Sequence, residues 1–202
     1  MKEFNIVLTG VGGQGILLAA EILGTAALKE GLNVRVSEIH GMAQRGGAVV
    51  SNVRIGENVL APTFLDGKAD VLLGFEPLET LRNLNLASEK TTTIMSDERI
   101  TPTELTAKMV DYPSLTKIID KIRSFTRDII VVEAAKLAKE AGNILTENVV
   151  LIGALAATKK MPLKDESIIE ALKELVPTKH LETNIKAFKH GYEYTQKYKP
   201  KY

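Results

Sequence analysis

Two short glycine-bearing stretches hold most of the residues whose types and spacing suit chemistry. Gly10-Val11-Gly12-Gly13-Gln14-Gly15 reads as G-x-G-x-x-G between a strand-like apolar run and a helix-like apolar run. In that setting Gly10 permits a tight turn, Gly12 and Gly13 let a backbone or an anion approach closely, and Gly15 sits where helix meets strand. A helix starting here aims free N–H groups and the positive end of its dipole at the loop, which suits phosphate. Three readings fit. The loop binds a dinucleotide, with Glu38 ending the second strand and holding a ribose; it meets another anionic group or a partner's backbone; or it is a tight turn that binds nothing.

The second stretch is His40-Gly41-Met42-Ala43-Gln44-Arg45-Gly46-Gly47. Arg45 offers a planar fork of donors for a carboxylate or a phosphate. Gln44 supplies both a donor and an acceptor, and Gly46 and Gly47 add no side-chain bulk. Carboxyl ends of neighbouring parallel strands open on one crevice, so this loop and the first are expected to line the same cleft. The plainer alternative is that Arg45 ties down its own loop by bonding carbonyls. His40 closes a strand and serves equally as a satisfied polar group. No nucleophile stands beside it in the sequence, so no catalytic residue is assigned.

Composition removes several functions. The 202 residues include no cysteine, which excludes disulfides, cysteine nucleophiles and thiolate-held iron–sulfur clusters within this chain. The histidines are His40, His180 and His190, none with metal-ligand spacing, so no metal site is expected. A formal net charge of +1 gives no electrostatic footprint for nucleic acid. No apolar run approaches the ~18–20 residues of a membrane span, and residues 1–4 lack a signal-peptide pattern. A cytoplasmic location is expected.

These loops need rigid elements to position them. Residues 4–9, 33–39, 48–55, 70–75, 91–96 and 129–132 are short, β-branched and apolar, the pattern of buried strands. A further strand is expected at 107–110, and Gly56-Glu57-Asn58 resembles a hairpin turn into 59–61. Helical spacing covers 16–29, 77–86, 113–125, 134–141, 148–158, 165–176 and 180–198. Gly31 caps the first of these and Gly142-Asn143 stops the fourth. In the last, Leu181, Ile185, Phe188 and Tyr192 form a stripe that either closes the chain's own core or docks on a partner. The order predicts one α/β domain over 1–202. It is a three-layer α/β/α arrangement with a Rossmann-like, mainly parallel sheet and a helical carboxy-terminal region from about 145 to 202.

GVGGQG followed by SEIHGMAQRGGAVVSNVRIG (37–56) resembles the gamma-type subunit of the 2-oxoacid:ferredoxin oxidoreductases. ADVLLGFEPLETLR (69–82), NVVLIGALAA (148–157) and NIKAFKHGYEY (184–194) fit the same family, so the resemblance covers nearly the whole chain. The HGMAQRGG form is most similar to the small (beta) subunit type of the indolepyruvate branch. The resemblance implies a hetero-oligomer that is inactive without a large partner subunit. The complex would convert an aryl pyruvate and coenzyme A to an aryl-acetyl-CoA and carbon dioxide, with two electrons passing to ferredoxin. Thiamine diphosphate, magnesium and 4Fe-4S clusters would belong to the large subunit, and none would be bound by this chain alone. Gly10, Gly12, Gly13, Gln14, Gly15, His40, Gln44, Arg45, Gly46 and Gly47 would then face substrate, a coenzyme A phosphate or the partner. The alternatives are a self-contained NAD(P)-binding oxidoreductase, or the gamma subunit of a pyruvate or 2-oxoglutarate enzyme.

Overall fold

The computed structural model describes residues 3–40, 46–100, 111–126 and 128–198, with backbone only at His40. Its centre is strand β1 (Phe4–Val11), in which Ile6, Val7 and Leu8 are fully buried, as a strand covered on both faces requires. The other strands are β2 (Val34–His40), β3 (Ala48–Ile55), β4 (Val71–Gly74), β5 (Thr92–Ser96) and β6 (Asp128–Val132). They form a six-stranded sheet in the order β2-β3-β1-β4-β5-β6. β1, β4, β5 and β6 are mutually parallel, whereas β3 runs antiparallel to both β1 and β2.

The expected α/β/α layering is present. On one face, α1 (Ile16–Lys29), α4 (Ala134–Ala141), α5 (Glu147–Ala157), α6 (Asp165–Leu175) and α7 (Thr178–Gln196) cover Ile6, Leu8, Val71, Leu73 and Ile94. On the other, α2 (Pro77–Arg82) and α3 (Leu115–Arg123) pack on Met95, Ile129 and Val131. Nearly every residue of α5 from Asn148 to Ala156 is buried, which explains why its sequence is apolar all round. Gly31 adopts φ 72° just past α1, and Leu32 N–H returns to the Ala27 carbonyl, the left-handed stop its position predicts.

Three expectations change. β1 and β2 run in the same direction but are not neighbours, because β3 doubles back and inserts between them. Residues 59–61 form no strand. Pro62 lacks a donor for a ladder, and Leu60 is 87% exposed, with no sheet to join. The helix read over 77–86 ends at Arg82 and resumes as a short 3-10 turn, Leu84–Leu86. Asn83 causes the break: its amide donates to the Glu79 carbonyl and to Thr9 Oγ1 on β1, pulling the chain down onto the sheet. The strand read at 107–110 lies outside the described residues.

The carboxy-terminal helix closes the chain's own core. The side it buries is Asn184, Ala187, Phe188 and Gly191, rotated from the stripe that spacing alone suggests. Two glycines bring it against α5: a methyl on Gly153 would overlap the Phe188 carbonyl, and one on Gly191 the Val150 carbonyl. Past this contact the chain reaches edge strand β6. There Tyr194 Oη donates to the Val131 carbonyl (3.1 Å) and Val131 N–H donates to Tyr198 Oη (3.2 Å).

Candidate functional site

The two glycine-bearing turns meet at one edge of the sheet. β1 pairs with β3 as far as Val11 opposite Ala48, and the ladder continues beyond the strands. Gly12 N–H donates to the Gly47 carbonyl (2.8 Å), and Gly46 N–H donates to the Gly12 carbonyl (3.3 Å). The insertion of β3 is what makes this possible, because it brings the end of the second loop directly beside the end of β1. Gly10, Gly12, Gly13, Gln14, Gly15, Gly46 and Gly47 are therefore drawn together. His40 ends β2 opposite Val49, on the same edge. Gln44 and Arg45 lie outside the described residues.

Gln14 does not project from the loop. Its Oε1 accepts from Val11 N–H (2.8 Å), and its Nε2 donates to the Phe75 carbonyl at the end of β4 (2.8 Å). The side chain thus spans the crevice between β1 and β4, where the strand order reverses. Gly10 makes room for it: a Cβ there would lie 2.6 Å from Gln14 Oε1 and 2.8 Å from Phe75 Cβ. Gly13 is the contrasting case. With φ 106° and nothing within 4 Å of an added Cβ, it leaves the outer face of the turn open. Val11, Gly12, Gly13, Ile16, Leu17 and Val49 enclose a mostly apolar cavity of about 440 Å³ there.

This geometry is poor for a dinucleotide. A ribose-binding acid belongs at the end of the strand adjacent to β1. Here β3 holds that place, so Glu38 on β2 lies one strand further out, two strand spacings or roughly 9–10 Å from β1. The crevice between β1 and β4 is bridged by Gln14. What the edge offers instead is a stiff, low-profile glycine surface beside an apolar hollow, suited to another molecule's backbone or a slender group.

Sequence spacing gave no sign of two further residues at the start of α5, the first of which reaches the loop. Gly15, at φ 72°, is overhung by Asn148, whose Nδ2 donates to the Gly15 carbonyl (3.3 Å). A Cβ on Gly15 would lie 2.6 Å from that same nitrogen. The neighbouring carboxyl of Glu147 is pushed up to about 7, first by burial, then by Glu98 and Asp97, against the opposing pull of Lys139. Both residues sit at the head of an apolar helix and look, in sequence, like ordinary first-turn residues.

Glu147 makes stability depend on pH. In the unfolded chain its carboxyl titrates near the ordinary 4.5, and in the folded protein near 7. Between these values the folded state holds the proton and the unfolded state does not. Its contribution is therefore most favourable below about 4.5, declines as pH rises and is lost above about 7. The Glu147→Gln variant should be more stable at pH 8 by about 1–2 kcal/mol, allowing for solvent screening of a partly exposed group. Urea denaturation at pH 5 and pH 8 reads this difference, and identical pH slopes for the two proteins would contradict it.

A second carboxyl on this edge has a structural role. Glu76, fully buried after β4, caps α2 by accepting from Glu79 N–H (2.8 Å), and Tyr112 Oη donates to its other oxygen. Burial raises the carboxyl above its ordinary range while these donors oppose the shift. Among the described residues, no group of three or more histidine or acidic side chains is placed to hold a metal ion.

Comparison with known proteins turns this geometry into a family assignment. The sequence model described as Pyruvate ferredoxin/flavodoxin oxidoreductase matches residues 5–194. The chain belongs to that family. Within it, the chain is 47% identical over 194 residues to the indolepyruvate oxidoreductase subunit IorB of Thermococcus kodakarensis, covering 95% of each. It is 43% identical over 190 residues to the subunit of the same name from Archaeoglobus fulgidus, covering 94% of each. Similarity to the pyruvate/ketoisovalerate oxidoreductases common subunit gamma of Pyrococcus abyssi is 28% over 189 residues. The family fold is also seen in the keto/oxoacid ferredoxin oxidoreductase gamma subunit from Geobacter sulfurreducens. That structure superposes with a TM-score of 0.68 at 24% identity, covering 96% of this chain and 98% of that one. A 2-oxoglutarate:ferredoxin oxidoreductase from Magnetococcus marinus gives a TM-score of 0.73 at 18% identity; 98% of this chain aligns to 32% of that longer one.

Proposed function

We propose that this chain is the small subunit of an indolepyruvate-type 2-oxoacid:ferredoxin oxidoreductase. The observation that carries the reading is the 47% identity to an indolepyruvate oxidoreductase subunit over 95% of both chains, against 28% to a pyruvate/ketoisovalerate gamma subunit. The complex would take an aryl pyruvate and coenzyme A to an aryl-acetyl-CoA, carbon dioxide and a proton. Two electrons would go to ferredoxin. A chain without cysteine cannot ligate iron–sulfur clusters through thiolates, so these, with thiamine diphosphate and magnesium, are assigned to the large partner subunit. No described helix is long and apolar enough to cross a membrane, and a cytoplasmic location accords with ferredoxin as acceptor.

In this reading the small subunit covers and positions; the cofactor-bearing subunit performs the chemistry. The zipped glycine turns, with Gly12, Gly13, Gly46 and Gly47, form its face toward the substrate, the coenzyme A phosphates or the partner. Gln14, Gly10 and Gly15 stiffen that face from behind. Arg45 would meet a phosphate, a carboxylate or an acidic partner side chain.

Reconstitution tests the reading. Mixed with the purified large subunit, this chain should form a stable complex that reduces ferredoxin when given indolepyruvate and coenzyme A, and neither chain should do so alone. Turnover of a 2-oxoacid by the isolated chain, or its tight binding of NAD(H), would refute it. Within the active complex, Arg45→Ala should raise the KM for coenzyme A or for the oxoacid about tenfold, the loss of one charge-assisted contact. Unchanged assembly and unchanged kinetics would remove Arg45 from the site.

A further inference from the structure

Resting on the small-subunit reading, we infer that the hollow beside the glycine turns seats the aromatic ring of the 2-oxoacid, with Leu17 and Val49 selecting for ring size. The chain then helps to choose the substrate as well as to cover it.

The hollow is rooted in the core. Three of its walls, Val11 on β1, Ile16 on α1 and Val49 on β3, are buried, and close packing behind them leaves little freedom to collapse inward. Leu17, in the first turn of α1, is the wall residue that reaches solvent, at 37% exposed, and so stands at the mouth. Gly12, Gly13 and Gly15 complete the lining with bare backbone. At Gly13 nothing lies within 4 Å of the place a Cβ would take. Peptide planes without side chains offer a flat surface against which a planar ring can lie.

The chemistry of the lining names the occupant. Among the described residues that form it, none carries a charge. A phosphate or carboxylate placed inside would leave water without meeting a cation, which is costly. That sets the phosphates of coenzyme A outside the hollow and leaves an apolar group to fill it. The volume of about 440 Å³ falls in the range of small-molecule sites, ~300–1,000 Å³. A methyl group, as on pyruvate, would leave most of this space empty. A bicyclic ring would touch the aliphatic walls and the glycine backbone together, and the favourable contact grows with the apolar area covered. The charged keto-acid end then points out of the mouth, toward the cofactor-bearing subunit.

Kinetics of the reconstituted complex with indolepyruvate and phenylpyruvate, two fused rings against one, test the assignment. Val49→Phe fills the interior and Leu17→Trp narrows the mouth. Each should lower kcat/KM for indolepyruvate at least about tenfold and for phenylpyruvate less than about threefold, with the KM for coenzyme A unchanged. Leu17→Trp alters a partly exposed position, so it decides the matter if Val49→Phe fails to fold. Leu60→Phe, at a residue 87% exposed, is the control and should behave as the unaltered complex does. Equal losses on the two oxoacids or a raised KM for coenzyme A would give the hollow to another ligand. Weakened assembly would give it to an apolar side chain of the large subunit. Either result, or unchanged kinetics, would overturn the inference and leave the small-subunit reading standing. Failure of the unaltered complex to turn over indolepyruvate would overturn both.

Discussion

Gly191→Ala should cost about 3 kcal/mol of stability, and Gly153→Ala a similar amount. At both positions the added methyl meets backbone rather than a side chain that can swing away: the Val150 carbonyl and Ala154 nitrogen for Gly191, and the Phe188 carbonyl for Gly153. Relief requires α5 and α7 to separate. Separation loosens Val150, Ala154, Ala187 and Phe188, all of which lie in the main core. Overpacking of this kind costs ~1–3 kcal/mol, and the upper end is expected where only a whole helix can move. The double variant should cost less than the sum, because one shift of α7 accommodates both methyls. Urea denaturation of the two single variants and the double variant measures each term. Single costs below about 0.5 kcal/mol would mean that the helices are not locked at these glycines.

Gln14→Leu should cost about 3 kcal/mol and should also slacken the glycine surface. The substitution keeps much of the bulk but removes both of the amide's hydrogen bonds, leaving Val11 N–H and the Phe75 carbonyl without those partners at the ends of two buried strands. Each buried group stranded in this way costs ~1–3 kcal/mol. Gln14→Glu is a sharper probe. It retains an acceptor for Val11 N–H but sets a carboxylate against the Phe75 carbonyl, and should destabilise by a comparable amount. Hydrogen exchange at the Val11 amide reports the slackening directly. Protection equal to that of the unaltered chain would show that Gln14 does not hold the crevice.

Much of this architecture was legible in the sequence. FNIVLT announces a strand buried on both sides, and the all-round apolarity of 148–158 announces a helix enclosed on all sides, because burial leaves no polar face to mark. Gly31 and Pro62 mark their stops for local steric reasons. The place of β3 was not legible. A strand that follows a glycine loop reads the same whether it continues a parallel sheet or folds back into it, since alternation and β-branching carry no direction. The role of Gln14 was hidden for a related reason: G-x-G-x-x-G fixes the turn, while the side chain at the variable position finds its partner at Phe75, 61 residues away. Asn148 and Glu147 owe their environments to Gly15 and Glu98, contacts that no local spacing encodes.

The tyrosines at the end of the chain have a consequence for how the molecule behaves in company. By occupying both polar groups of Val131, Tyr194 and Tyr198 stand in for a seventh strand without supplying one. A bare margin of this kind is a template on which a stray segment or a neighbour's strand can pair. Two phenol groups cap it at Val131. Clipping the chain after Gly191 would therefore do more than shorten a helix: it would leave a sticky flank and a tendency toward filaments.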